Sequence, residues 1–133
     1  MMTAILLRTG VDIVDVERLK RMIELSGTEF LESSWTAAER EYCAGRPERL
    51  ATRWAAKEAT MKALDRGIGR VSPLDVEVVA HEGQAPSLLL HGPAETRALD
   101  MRLDTWSVSL SHEDRWALAF VIGVGNGPHG QHQ

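Results

Sequence analysis

The chain has 133 residues and a mass of 14.7 kDa, with 44% hydrophobic and 26% charged residues, the make-up of one globular domain with enough apolar content for a core. A net charge of -4 and a pI of about 5.7 exclude a nucleic-acid binder that works through bulk charge, so any polyanion has to be met locally. The single cysteine, Cys43, excludes an internal disulfide, and the absence of a positively led leader or an apolar run of about 18 residues predicts a cytoplasmic protein without a membrane span.

Ala4 to Leu7 and then Gly10-Val11-Asp12-Ile13-Val14 read as strand, ending where Asp15 can cap a helix. Val16, Leu19, Met22 and Ile23 supply that helix with an apolar stripe, Arg18 and Arg21 share another face, and Ser26-Gly27 ends it. Thr36-Ala37-Ala38-Glu39 is a capping-box pattern opening a short second helix that closes near Gly45. Pro47 suits the first turn of a third helix, which runs to about Leu64 and stops before Gly67-Ile68-Gly69. Asp75 to Ala80 and Ser87 to Leu90 predict a strand pair, and Pro93 to about Met101 a further helix.

The last third alternates. Trp106, Val108 and Leu110 face one way and Ser107, Ser109 and Ser111 the other; Glu113-Asp114 are expected to turn the chain, and Trp116, Leu118, Phe120 and Ile122 continue the alternation on the returning strand. From Gly125 to Gln133 the composition shifts to Gly, Asn, Pro, His and Gln. A single domain over 1–124 with a frayed tail over 125–133 is therefore expected, and His129 and His132 in that tail are not read as a metal site.

Two carboxylates sit where apolar residues belong. At about 100° per residue, Leu50, Ala51, Trp54, Met61 and Asp65 fall on one side of the third helix, and Glu58 points the same way. An isolated ionised carboxylate removed from water costs several kcal/mol or more, so it finds a cation or gives up its charge. Lys62, one turn on, can meet it as an ordinary i,i+4 surface pair. Asp12 lies among Val11, Ile13 and Val14, three residues before the helix cap, where a solvent-facing strand position would account for it. Together the two acids suggest another arrangement: hard oxygen ligands for Mg²⁺, which is typically held by one or two carboxylates, waters and phosphate oxygens, with Lys62 as a phosphate partner at the edge.

His112 ends the Ser-Val-Ser-Leu-Ser-His strand beside a turn, either as a surface residue or as a side chain reaching a neighbouring cleft. No Gly-x-Ser-x-Gly elbow surrounds Ser109 or Ser111, so neither is read as a nucleophile. Arg18 and Arg21, with Lys20 between them, form a basic helix surface on an acidic protein, which is either a solvated face or a docking site for an acidic partner.

Three blocks, Gly10 to Val14, Arg53 to Leu64 and Ser107 to His112, resemble in order and spacing the holo-[acyl-carrier-protein] synthases, the small stand-alone type of 4′-phosphopantetheinyl transferase. The resemblance spans roughly Gly10 to Val124 and includes Gly67-Ile68-Gly69, Ser72 to Val78 and Trp116 to Ala119. It implies an α+β fold, with an antiparallel sheet packed with helices, assembled as a homotrimer with active sites between subunits. It also implies transfer of the 4′-phosphopantetheine moiety of coenzyme A to a serine of an apo acyl carrier protein or carrier domain, with Mg²⁺ as cofactor.

Carried over residue by residue, Asp12 and Glu58 match the magnesium-binding acids and Lys62 the phosphate-contacting lysine, which makes Glu58 and Lys62 the catalytic candidates. Arg53 and His112 match positions that bind coenzyme A, together with Lys62. Arg18 matches a basic position on the carrier-docking helix, and Arg21 extends that face by helical geometry alone. The chain departs from the family pattern at Ser107, where many members carry His, and at Trp54, where they carry a different aromatic residue. Two rival readings use the same residues: a non-catalytic carrier-binding module, and a magnesium-dependent hydrolase with water as nucleophile.

Overall fold

The computed structural model describes residues 4–67 and 69–127. Strand β1 (Ala4–Asp15) leads into α1 (Val16–Ser34), α2 (Ala37–Cys43) and the central α3 (Pro47–Leu64). A 3₁₀ turn (Pro73–Asp75) precedes the short strands β2 (Val76–Val79) and β3 (Ser87–Leu90), then α4 (Gly92–Asp100) and the long hairpin β4 (Leu103–Glu113) and β5 (Trp116–Gly127). The main sheet is antiparallel with order β1-β5-β4, and β2 and β3 pair separately, so the architecture is α+β. Among the described residues no helix is long and apolar enough to cross a membrane.

The expected caps form. Asp15 accepts from the backbone N–H groups of Glu17 and Arg18, and Thr36 and Glu39 make the reciprocal capping box of α2. Ser26-Gly27 breaks α1, since Gly27 leaves the helical region at φ 68°, ψ −152°. The chain then resumes helical geometry through Ser34, an extension absent from the expected pattern. It places Phe30 and Leu31 against Trp35 and Trp54 in an aromatic cluster, where the Trp35 indole N–H donates to the Leu50 carbonyl at 3.1 Å.

Helix α3 lies on the inner face of the main sheet through small side chains. Ala55, Ala56 and Ala59 meet Ala119, Val121 and Val108, and a Cβ at Gly10 would stand 1.8 Å from the Ala59 carbonyl oxygen. Only a glycine permits that approach of strand to helix. A separate cluster of Met61, Leu64, Val71, Val76, Leu90, Ala94, Ala98 and Leu103 joins α4 and the small sheet to the end of α3.

Three expectations about the hairpin change. Glu113 pairs with Trp116, so the turn is Asp114-Arg115, one residue later than expected, with Asp114 at φ 55°. Asp114 can take that left-handed turn conformation because its short polar side chain tolerates it. Trp116, Leu118 and Phe120 do alternate, but they lie beside the serines of β4 on the outer face, and Ala117, Ala119 and Val121 face α3. The close helix leaves no room inside for the large residues. Finally, β5 runs through Gly127, three residues into the segment expected as tail. Gly125 is required there because a Cβ would stand 1.7 Å from the Arg102 carbonyl oxygen. His129 and His132 lie outside the described residues.

Candidate active site

Asp12 pairs in register with Ala119, an inward-facing position, so its side chain is turned toward α3 and not toward solvent. Across from it, Lys62 of α3 bonds the Asp12 carboxylate at 3.1 Å and the Val11 carbonyl at 2.9 Å through its Nζ. Lys62 thus pairs with the strand acid, where the helix pattern alone offered Glu58. Glu58 is half-buried one turn earlier, and burial, then the Asp12 charge, push its proton affinity above the usual carboxylate range while Lys62 opposes them. Two acids distant in sequence converge beside one lysine.

They line a cleft of about 440 Å³ with Asp15, Arg18, Met22, Trp54 and Trp116. A second depression, bounded by Glu58, Met61, Lys62, Asp65 and Arg66, continues on the other side of Glu58. The cleft opens at the β1 edge of the sheet, between the start of α1 and the middle of α3. Arg18 stands on its wall because Asp15 caps the helix there. Arg21 is exposed and is not among the residues lining the cleft.

The donor set fits a hard divalent cation. Of the three carboxylates lining the cleft, Asp15 caps α1; of the other two, Asp12 and Glu58, the second is destabilised as an anion by burial and by the first, with Lys62 to offset them. A magnesium ion with oxygen ligands would relieve that repulsion. Among the described residues no group of three or more His, Cys, Asp or Glu converges, so water or substrate oxygens would have to complete the shell.

Arg53 and His112 do not join this cleft. Arg53 lies five residues before Glu58, about 140° around the helix. It is 8% exposed, bonds Thr52 Oγ1 at 3.1 Å and stacks over the Tyr42 ring at 4.7 Å. No carboxylate among the described residues forms an ion pair with it. His112 is exposed near the end of β4, the opposite edge of the sheet from Asp12, within electrostatic reach of Glu48 in the first turn of α3.

One charged group escaped the sequence pattern. Lys57, next to Glu58, is fully buried and bonds Glu39 at 2.7 Å, the Pro73 carbonyl at 2.9 Å and the Val76 carbonyl at 2.6 Å. Its partners are scattered over α2, the 3₁₀ turn and β2, so no local spacing announces them. Glu39 also accepts from the N–H groups of Thr36 and Val78, each at 2.8 Å, which satisfies both carboxylate oxygens.

Fold and site together define an α+β protein in which a central helix and a sheet edge meet at a paired-carboxylate, lysine-bordered cleft. Residues 8–121 match the family model of the 4′-phosphopantetheinyl transferase superfamily, and the chain belongs to that family. It is 41% identical over 127 residues to a holo-[acyl-carrier-protein] synthase of Herpetosiphon aurantiacus, covering 90% of this chain and 100% of that protein. The Helicobacter pylori holo-[acyl-carrier-protein] synthase, crystallised in complex with coenzyme A, superposes with a TM-score of 0.78 at 28% identity, covering 86% of this chain and 98% of the other. A Bacillus anthracis holo-(acyl-carrier-protein) synthase, in complex with CoA (3′,5′-ADP), gives a TM-score of 0.74 at 30% identity, covering 92% and 99%.

Proposed function

We propose that this protein is a holo-[acyl-carrier-protein] synthase that transfers the 4′-phosphopantetheine arm of coenzyme A to a serine hydroxyl of an apo acyl carrier protein and releases adenosine 3′,5′-bisphosphate. The observation that carries the reading is the convergence of Asp12 and Glu58 on one cleft with Arg18 on its wall and Lys62, bonded to Asp12, at its border. In this reading Asp12 and Glu58 hold Mg²⁺, which when bound neutralises pyrophosphate oxygens.

The chain's own residues do the rest. The Lys62 ammonium is more than half exposed, so it can leave Asp12 and meet the charge that develops on the phosphate as the anhydride bond breaks. Glu58 can receive the serine proton through a carboxylate oxygen left free of the metal. Arg18 meets the acidic carrier, with Arg21 adding charge along the same helix. Arg53, buried with no carboxylate partner among the described residues, and exposed His112 are assigned to the nucleotide end of coenzyme A. Chemistry of this sort depends mostly on positioning and charge neutralisation.

The assembly we propose is a homotrimer. Ile5, Leu7, Val11 and Ile13 of β1 lie beside Leu118 and Phe120 of β5 on the outer face of the sheet, each at least 40% exposed. A continuous apolar face of this kind is a protein-interaction surface. Ile13 and Trp116 belong both to that side and to the cleft, so a second copy seated there would border the site. Asp12 and His112 stand at opposite sheet edges, and a head-to-tail ring brings one copy's β4 edge to the β1 edge of its neighbour.

The test uses apo carrier protein, coenzyme A and Mg²⁺, followed by mass spectrometry of the carrier. A transferase adds the arm to the carrier only when all three are present; a hydrolase consumes coenzyme A without a carrier, and a binding module does neither. Glu58→Gln and Asp12→Asn are expected to abolish the mass gain while preserving the fold. Wild-type turnover in either variant would remove the metal assignment.

A further inference from the structure

We propose that Arg115, in the β4–β5 turn, is a positioning residue for carrier recognition, a role that rests on the transferase reading above. Arg115 is not among the residues that line the cleft, yet it ties two of its walls together. Its carbonyl accepts the Val16 N–H at 2.7 Å, the first amide of α1. Its guanidinium bonds Asp15 Oδ2 at 2.5 Å, while Asp15 Oδ1 accepts from Glu17 and Arg18 at 3.1 and 3.2 Å. The same guanidinium lies over the ring of Trp116, which is itself a cleft residue, at 5.5 Å.

The consequence is geometric. Helix α1 leaves β1 at Val16, and Arg18 lies in its first turn, so the direction in which Arg18 projects follows from how that turn is held. One oxygen of Asp15 caps the helix and the other is held from outside by the hairpin turn. Arg115 therefore sets the start of α1 against β5, and with it the distance between Arg18 and the acids. The metal ligands and Lys62 belong to β1 and α3 and do not pass through this contact. Loss of Arg115 should then act on the carrier and leave coenzyme A alone.

The experiment is steady-state transfer by full-length Arg115→Met, with carrier and coenzyme A varied separately. The KM for carrier is expected to rise about threefold to fivefold, with kcat and the KM for coenzyme A unchanged. Arg115→Lys, which keeps the charge, should recover part of the loss. Adding Arg115→Met to Arg18→Ala should cost nothing further, because the first change acts through the second residue. If Arg115→Met does not fold, Arg115→Gln removes the same charge and keeps a polar side chain in the turn, and it should show a rise in carrier KM in the same direction. An unaltered carrier KM, an equal change in both KM values, or full additivity with Arg18→Ala overturns the positioning role while leaving the transferase reading standing. Absence of any transfer by the wild-type protein overturns both.

Discussion

Glu58 shows how a site residue trades stability for chemistry. Burial and the neighbouring Asp12 raise its folded pKa above the reference value of 4.5, so the folded state binds this proton more tightly than the unfolded chain does. Its contribution therefore favours folding below the unfolded value and is lost as pH rises through the folded one. At neutral pH the buried Glu58 charge strains the metal-free cleft. Glu58→Gln is expected to melt above the wild type near pH ~7 in chelator, and the gap is expected to close near pH ~4, where Glu58 takes up its proton. Thermal scans across that range check it, and a variant no more stable than its parent at the upper pH would show that the charge is already relieved. Cys43 is the opposite case: burial pushes its thiol up to about 11, so it packs as a small apolar residue and is not poised as a nucleophile.

At the scale of the element, α3 is the part on which everything else is registered. Its alanines and Gly10 set the distance to the sheet, and Lys57 sets its rotation by binding Glu39 and two carbonyls on separate elements. Because Lys57 precedes Glu58, fixing one fixes the direction of the other. Removing one partner of a buried pair leaves an uncompensated charge, so Lys57→Met is expected to cost about 3–5 kcal/mol in urea unfolding. Adding Glu39→Gln should return part of that loss, since the stranded charge is gone while an amide oxygen remains for the Thr36 N–H. A single variant within about 0.5 kcal/mol of wild type would show that the pair does not hold the helix.

For the whole molecule, the proposed trimer rests on the outer sheet face. Phe120 is 42% exposed at the centre of that face and is not a member of the core clusters, so changing it should spare the fold of each chain. Phe120→Glu is expected to shift the protein to a monomer in sedimentation, because a charge buried at an interface without a partner costs several kcal/mol. Transfer should fall with it, although Asp12, Glu58 and Lys62 are untouched. A variant that sediments and turns over like the wild type would refute the shared-site assembly.

How much of this was legible beforehand differs from residue to residue. The Asp15 cap, the Thr36 capping box, the Gly27 break, Pro47 at the start of α3 and the strand pair around Glu82 to Pro86 are local signals, carried by neighbours a few residues apart, and the structure contains them. The Lys57–Glu39 pair and the Arg115–Asp15 tie were not legible, because their partners are 18 and 100 residues apart. Alternation likewise separated the two faces of β5, but volume decided which one turned inward: a helix packed on Gly10 and a row of alanines leaves no space for Trp116 or Phe120. The amino-acid order by itself determined the α+β elements, the family and the oddly placed acids, since periodicity and motif spacing are properties of a single strand or helix. Only the tertiary structure decided that Asp12 turns toward α3, that Lys62 bonds it, and that Arg53 and His112 stand elsewhere, because distances between segments are set by packing and by no local rule.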